Sequence, residues 1–213
     1  MPVAVDHCRR DLGTAVQVAL ELARRAPTLH WDDGAGNLER IGVRRVENVA
    51  ELAMLRVQLG WETFLEDVFV RYMCGARTAA GFAPVLLQPR ERTLSDAMST
   101  LLGTQLYLNW SITNTLARAG TFFNAGAPFA STLAVVRTAV VEINAIRNRI
   151  AHSSEFSRDA FRAVVLNHLG YVPRGMSPGR FLLTTIPGSG TPGTRFIDDY
   201  ALKLLGAGAL IVP

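Results

Sequence analysis

The chain holds 22 basic residues, yet Lys203 is its only lysine, so its positive charge is carried almost wholly by arginine. Arginine suits bidentate phosphate contacts and stacking on bases. That bias alone names no partner, because codon usage produces the same count. Cysteine is scarce as well. Cys8 and Cys74 stand far apart and without metal-ligand spacing, which argues against a disulfide framework or a structural zinc site and makes a reducing cytoplasm the default. Charge is sparse at 19% against 49% hydrophobic residues, which excludes a disordered chain. Long apolar runs are missing: the longest uncharged stretches, 97–117 and 119–136, are interrupted by polar residues and glycine, so none reads as a membrane span. Residues 1–10 carry no apolar run of the signal-peptide kind. A cytoplasmic protein with no membrane association is expected. Its 213 residues are enough to bury a substantial core in one domain with an appended segment.

What is present is mostly helical periodicity. Residues 5–25 place Leu12, Val16, Ala19, Leu20 and Ala23 at three- and four-residue spacing, and Pro27 follows. Residues 30–43, rich in Asp, Gly and Asn, predict a loop. A long helix is expected from Asn48, as N-cap, to about Cys74, closed by Gly75 and interrupted by Gly60. Residues 77–92 read as a connection, 94–103 and 106–119 as two helices, and 124–128 as a turn. Residues 129–151 form the most regular helix, followed by one capped by Ser157 and closed by Gly170. Beyond Gly170, glycine and proline punctuate the chain, leaving room for a short strand at 180–186 and a terminal helix at 194–205. The expected class is all-α. The expected organisation is an N-terminal helix and loop (1–47), a helical bundle (48–170) and an irregular C-terminal extension packed on it (171–213).

At 100° per residue, Val136, Ala139, Val140, Ile143, Ile146 and Ile150 form one apolar face of the 129–151 helix. Arg147 falls within that face, about 40° from Ile143, where an arginine needs a partner charge or a cleft. Asn144, Asn148 and His152 form a separate polar line. A straight helix therefore separates Arg147 from His152 by about 140°. Joint action on one atom requires a helix that ends or bends near Ile150, which Ser153 and Ser154 permit, or two copies meeting across an interface.

The stretch Arg147-Asn148-Arg149-Ile150-Ala151-His152 resembles the Arg-x4-6-His motif of HEPN-domain ribonucleases, whose commonest form has Asn, Asp or His after the arginine. Upstream, Trp61-Glu-Thr-Phe-Leu-Glu-Asp67 looks like the first core helix of the RiboL-PSP-type branch, and the resemblance spans about residues 48–170. It implies an antiparallel HEPN-like bundle and a metal-independent endoribonuclease without cofactors. Such domains dimerise so that both motifs line one cleft. Many serve as toxins or defence effectors beside an antitoxin or defence-system partner protein. Transferred by position, His152 is the acid/base at the ribose 2′-hydroxyl or the leaving 5′-oxygen. Arg147 stabilises the phosphate charge and Asn148 orients the pair. Histidine exchanges protons near neutral pH, and a preorganised guanidinium holds an oxyanion. Ser154 stands where one branch has a nucleotidylated tyrosine, which puts that mode of control in doubt.

Each residue also has a plainer reading. His152 and Asn148 can be solvated residues near a helix end. Glu62 and Glu66, candidate acidic partners for Arg147, can be surface charges, and Ser153 is a further supporting candidate. His7, His30 and His168 have no nearby ligand set, which leaves metal binding little support. Arg44, Arg45, Arg90 and Arg92 can touch an RNA backbone or merely solvate a surface. The alternative function is a non-catalytic HEPN-like module that binds nucleic acid or a partner protein.

Overall fold

The regular apolar spacing produces helices nearly everywhere it is found. The structure is a computed structural model that describes residues 4–32 and 34–213, with Trp31 described by its backbone alone. Residues 1–3, part of the stretch read for a leader, and Asp33, within the expected loop, lie outside the described residues. Among the described residues the fold is all-α apart from one small hairpin. Its elements run α1 (Asp6–Arg25), β1 (His30–Asp32), β2 (Leu38–Arg40), α2 (Val43–Met73), α3 (Leu94–Leu102), α4 (Ile112–Phe122), α5 (Phe129–Ala151), α6 (Glu155–Leu169), α7 (Pro178–Leu183) and α8 (Phe196–Ile211).

Several boundaries differ from expectation. The 30–43 loop contains the antiparallel pair β1–β2, in register His30 to Arg40. Helix α2 begins at Val43, not at an Asn48 cap, and passes through Gly60 unbroken. Residues 106–111 are not helical. Ser111 caps α4 by accepting the Asn114 N–H, leaving Leu106 and Tyr107 exposed. The cap of α6 is Ser154, and Ser157 is buried inside the helix. The expected strand at 180–186 is replaced by α7, because Ser177 accepts the Arg180 N–H as N-cap and Pro178 sits in the first turn. With α7 and α8, much of the segment after Gly170 is helical.

Contacts divide the chain into two units, and the division falls inside α1, α2, α5 and α8. The first comprises residues 1–14, 59–140 and 203–213. Its centre is Phe69, ringed by Trp110, Phe122, Phe123 and Phe129 at centroid distances from 4.9 to 6.1 Å. The Tyr72 hydroxyl donates to the Ile211 carbonyl at 2.8 Å, satisfying a buried polar group. Gly208 packs closely there, since a Cβ would stand 2.9 Å from the tip of the Leu12 side chain, which would have to shift.

The second unit comprises residues 15–58 and 141–202. Its buried residues include Val16, Leu20, Met54, Val57, Ile143, Ile146, Val165 and Leu182. Phe181 stacks on Phe196 at 4.2 Å. Gly179 lies against the backbone of Glu47 so closely that no Cβ fits, which seats the start of α7 on the start of α2. Helix α5 is apolar and long enough to cross a membrane by length and composition alone, and half of that window is buried in the fold.

Candidate functional site

The end of α5 is a built corner in the second unit. The last helical bond runs from the His152 N–H to the Asn148 carbonyl at 2.9 Å, so the helix stays regular to its end. Ser154 then caps α6 by accepting the Ser157 N–H at 3.2 Å. The buried Ser157 hydroxyl lies 3.0 Å from the His152 carbonyl and 2.8 Å from that of Ser154, and shares its proton between them. Arg149 also donates to the His152 carbonyl, at 3.4 Å. The His152 backbone is thus held from two sides while its side chain is exposed.

His152 and Ser153 line a cleft of about 560 Å³ together with Arg44, Glu51, Arg149 and the 175–178 segment. The far wall is fastened to α2, because Ser177 donates to Glu47 at 2.8 Å and the Gly179 N–H donates to Glu51 at 3.0 Å. Arg44 reaches Glu47 at 3.3 Å and remains exposed. The cleft is thus lined by one histidine, two arginines and the Glu51 carboxylate, which the Gly179 N–H already engages. The histidine and arginines are the groups that can hold a phosphate and move a proton at it.

Arg147 and Asn148 are not part of that cleft. Arg147 is exposed, and its guanidinium donates to its neighbour Asn148 at 3.2 Å. The expectation that it sits in the apolar face fails. The flanking Ile143 and Ile146 are buried, but the long arginine stem carries its charge to water at the helix edge. Glu66, one of the two carboxylates anticipated as its partner, accepts the Trp110 indole N–H at 3.0 Å. Asn144 accepts from Gln58 at 2.8 Å, which leaves Asn148 and His152 as the outer part of the polar line. The arginine beside His152 within one chain is Arg149. The same 100° steps that set Arg147 and His152 apart place Arg149 only about 60° from the histidine, so this neighbour was legible.

The other unforeseen group is Glu142, His168 and Tyr200. The Glu142 carboxylate accepts the Tyr200 hydroxyl at 2.8 Å and lies 3.0 Å from His168 Nε2. Burial, and then the adjacent carboxylate, hold the Tyr200 phenol far above its usual range, so it stays a donor. His168 packs edge-on against Phe196 at 4.8 Å. No spacing signal marks this cluster, whose members are 26 and 58 residues apart along the chain. Among the described residues, no group of three or more His, Cys, Asp or Glu is arranged to hold a metal ion.

No family model, curated protein or solved structure matches this chain.

Proposed function

We propose that the protein is a metal-independent endoribonuclease of HEPN type, with His152 as its acid/base and the cleft at the end of α5 as its RNA site. One observation carries this reading: the motif histidine is exposed in a cleft it shares with the Arg44 and Arg149 guanidiniums. In the proposed reaction the ribose 2′-hydroxyl loses its proton to an imidazole and its oxygen attacks phosphorus. The bond to the 5′-oxygen breaks, and that oxygen takes a proton from a second imidazole. The products are a 2′,3′-cyclic phosphate and a 5′-hydroxyl. One chain supplies one such histidine, so two copies meeting at this corner complete the acid/base pair. An exposed Arg147 with its Asn148 is then available to the phosphate held by the second copy. Arginines supply charge stabilisation that strengthens as negative charge gathers on the phosphoryl oxygens. A role as a toxin or defence effector in the cytoplasm accords with the motif.

The separation of Arg147 from the cleft favours a second reading, a helical module that binds RNA without cutting it. The two part in one assay. Purified protein is incubated with single-stranded and structured RNA, and with DNA of the same sequence, in excess chelator. Cleavage of RNA alone is expected. Binding without cleavage supports the second reading, and cleavage of DNA at a comparable rate contradicts the 2′-hydroxyl chemistry.

A further inference from the structure

Beside the His152 cleft lies a second groove of about 310 Å³, between the end of α5, helix α6 and residues 172–176. Four guanidiniums line it, those of Arg149, Arg158, Arg162 and Arg174, and among the described residues no carboxylate does. Arg158 is partly neutralised by Glu155 at 2.9 Å and Asp159 at 4.0 Å. Arg162 and Arg174 are exposed, and their side chains make no hydrogen bond or ion pair among the described residues. Among the described residues, the Arg149 side chain has only its 3.4 Å contact with the His152 carbonyl. Like charges gathered in one groove repel one another and raise the local potential, which an anion relieves.

The groove is continuous with the His152 cleft, because both are lined by Arg149, Gly175 and Met176. A lone phosphate would fill one of the two, whereas a chain of phosphates can run through both. The rest of the lining includes Phe161, Val172 and Pro173, which offer no side-chain donor or acceptor to a base edge. Side-chain donors in the groove come from the arginines, whose fork geometry suits phosphate oxygens.

We propose that this groove is a phosphate-binding subsite for the RNA strand as it leaves the His152 cleft, with Arg162 and Arg174 holding the flanking phosphodiesters and Arg149 bridging the two sites. The proposal rests on the reading of the cleft as an RNA site, and binding separates it from the catalytic claim.

The test is fluorescence anisotropy of the full chain with a single-stranded 2′-O-methyl oligonucleotide, which cannot be cut through its 2′-oxygen, across a salt series. The double variant Arg162→Ala/Arg174→Ala should melt as the parent does, since neither side chain has an internal partner. Its affinity should fall by about tenfold or more at ~0.1 M salt, and its salt slope should flatten by about 0.7 for each phosphate no longer neutralised. Arg158→Ala should have the smaller effect, because Glu155 and Asp159 already offset its charge. A parent that binds with this arginine dependence but never cleaves RNA keeps the subsite and defeats the catalytic reading. Unchanged affinity and slope in the double variant overturn the subsite. So does arginine-dependent binding to phosphatidylserine vesicles, or to inorganic phosphate, by a protein that ignores the oligonucleotide.

Discussion

Two histidines flank α6, and they are held in opposite ways. His152 precedes its first turn, with its backbone fastened by Ser157 and Arg149 and its ring in an open basic cleft. His168 lies in its last turn, with its ring tied to Glu142 and packed against Phe196. A ring whose Nε2 lies between a carboxylate and a phenol, and which packs against an aromatic neighbour, stabilises one arrangement of helices. A ring whose backbone alone is committed is free to exchange a proton with something that enters. Histidine identity says nothing of role; the partners decide it.

The largest effect that separates the two should come from alanine at each. His152→Ala should lower RNA cleavage by about a hundred- to ten-thousand-fold, the usual range for one positioned acid/base, with an unchanged melting curve. His168→Ala should do the reverse. It removes a partner from the mostly buried Glu142 carboxylate, so stability should fall by about 1–3 kcal/mol, measured by chemical denaturation, while folded protein keeps its cleavage rate. Loss of activity in His168→Ala without loss of stability would erase the distinction.

A smaller effect sharpens the first half of the comparison. Arg149→Ala should weaken oligonucleotide binding and its salt dependence, since Arg149 lines both basic grooves. Arg147→Ala should leave the affinity of single chains nearly unchanged and slow cleavage, because its guanidinium lies outside the cleft. Equal binding losses in the two variants would show that the grooves do not define the RNA path.

On the His168 side, Tyr200→Phe keeps the ring and deletes one of the Glu142 donors, costing about 1–2 kcal/mol in denaturation. A pH effect follows nearby. Burial raises the Asp198 carboxyl, but hydrogen bonds from Arg195 and Arg24, both at 2.9 Å, outweigh it and hold the group below its ordinary range. A carboxyl depressed in the folded state adds stability above its unfolded pKa of about 3.9, and that stability is lost as pH falls through the lower folded value. Asp198→Asn should therefore be less stable at neutral pH and should lose less on acidification below about pH 4. An acid titration of stability in both proteins checks the sign.

Smallest is a reactivity difference. Burial pushes the Cys8 thiol up to about 11, against the lowering effect of Arg71. Cys8 should thus resist thiol reagents at pH 8 in the native protein and react on unfolding.

Much of this was legible where one element decided the matter. The apolar face of α5 follows from its spacing: Val136, Ala139, Val140, Ile143 and Ile146 are buried as that spacing predicts, while Ile150, at the end of the face, is half-buried. Gly170 ends α6 with φ of 74°, a left-handed cap suited to glycine. Where local signals competed, tertiary contacts chose. The Phe-Leu-Leu-Thr-Thr run has strand character, yet the Ser177 cap and the close approach of Gly179 to Glu47 make it α7. The β1–β2 hairpin was missed because β2 buries nothing, and so leaves no alternating apolar pattern. At the site, His152 was legible from the motif and Arg149 from helix geometry. The 172–176 wall and the Glu142–His168–Tyr200 cluster depend on folding distant segments together, which spacing along the chain does not encode.

The central claim is that His152 moves a proton at the ribose 2′-oxygen, and product-end analysis tests it most directly. RNA and its 2′-O-methyl counterpart are incubated with the protein in excess EDTA, and the ends of any fragments are identified by mass spectrometry. The account predicts 2′,3′-cyclic phosphate and 5′-hydroxyl ends from RNA, and an intact 2′-O-methyl strand. Fragments with 3′-hydroxyl and 5′-phosphate ends, or cleavage of the 2′-O-methyl strand, would contradict it.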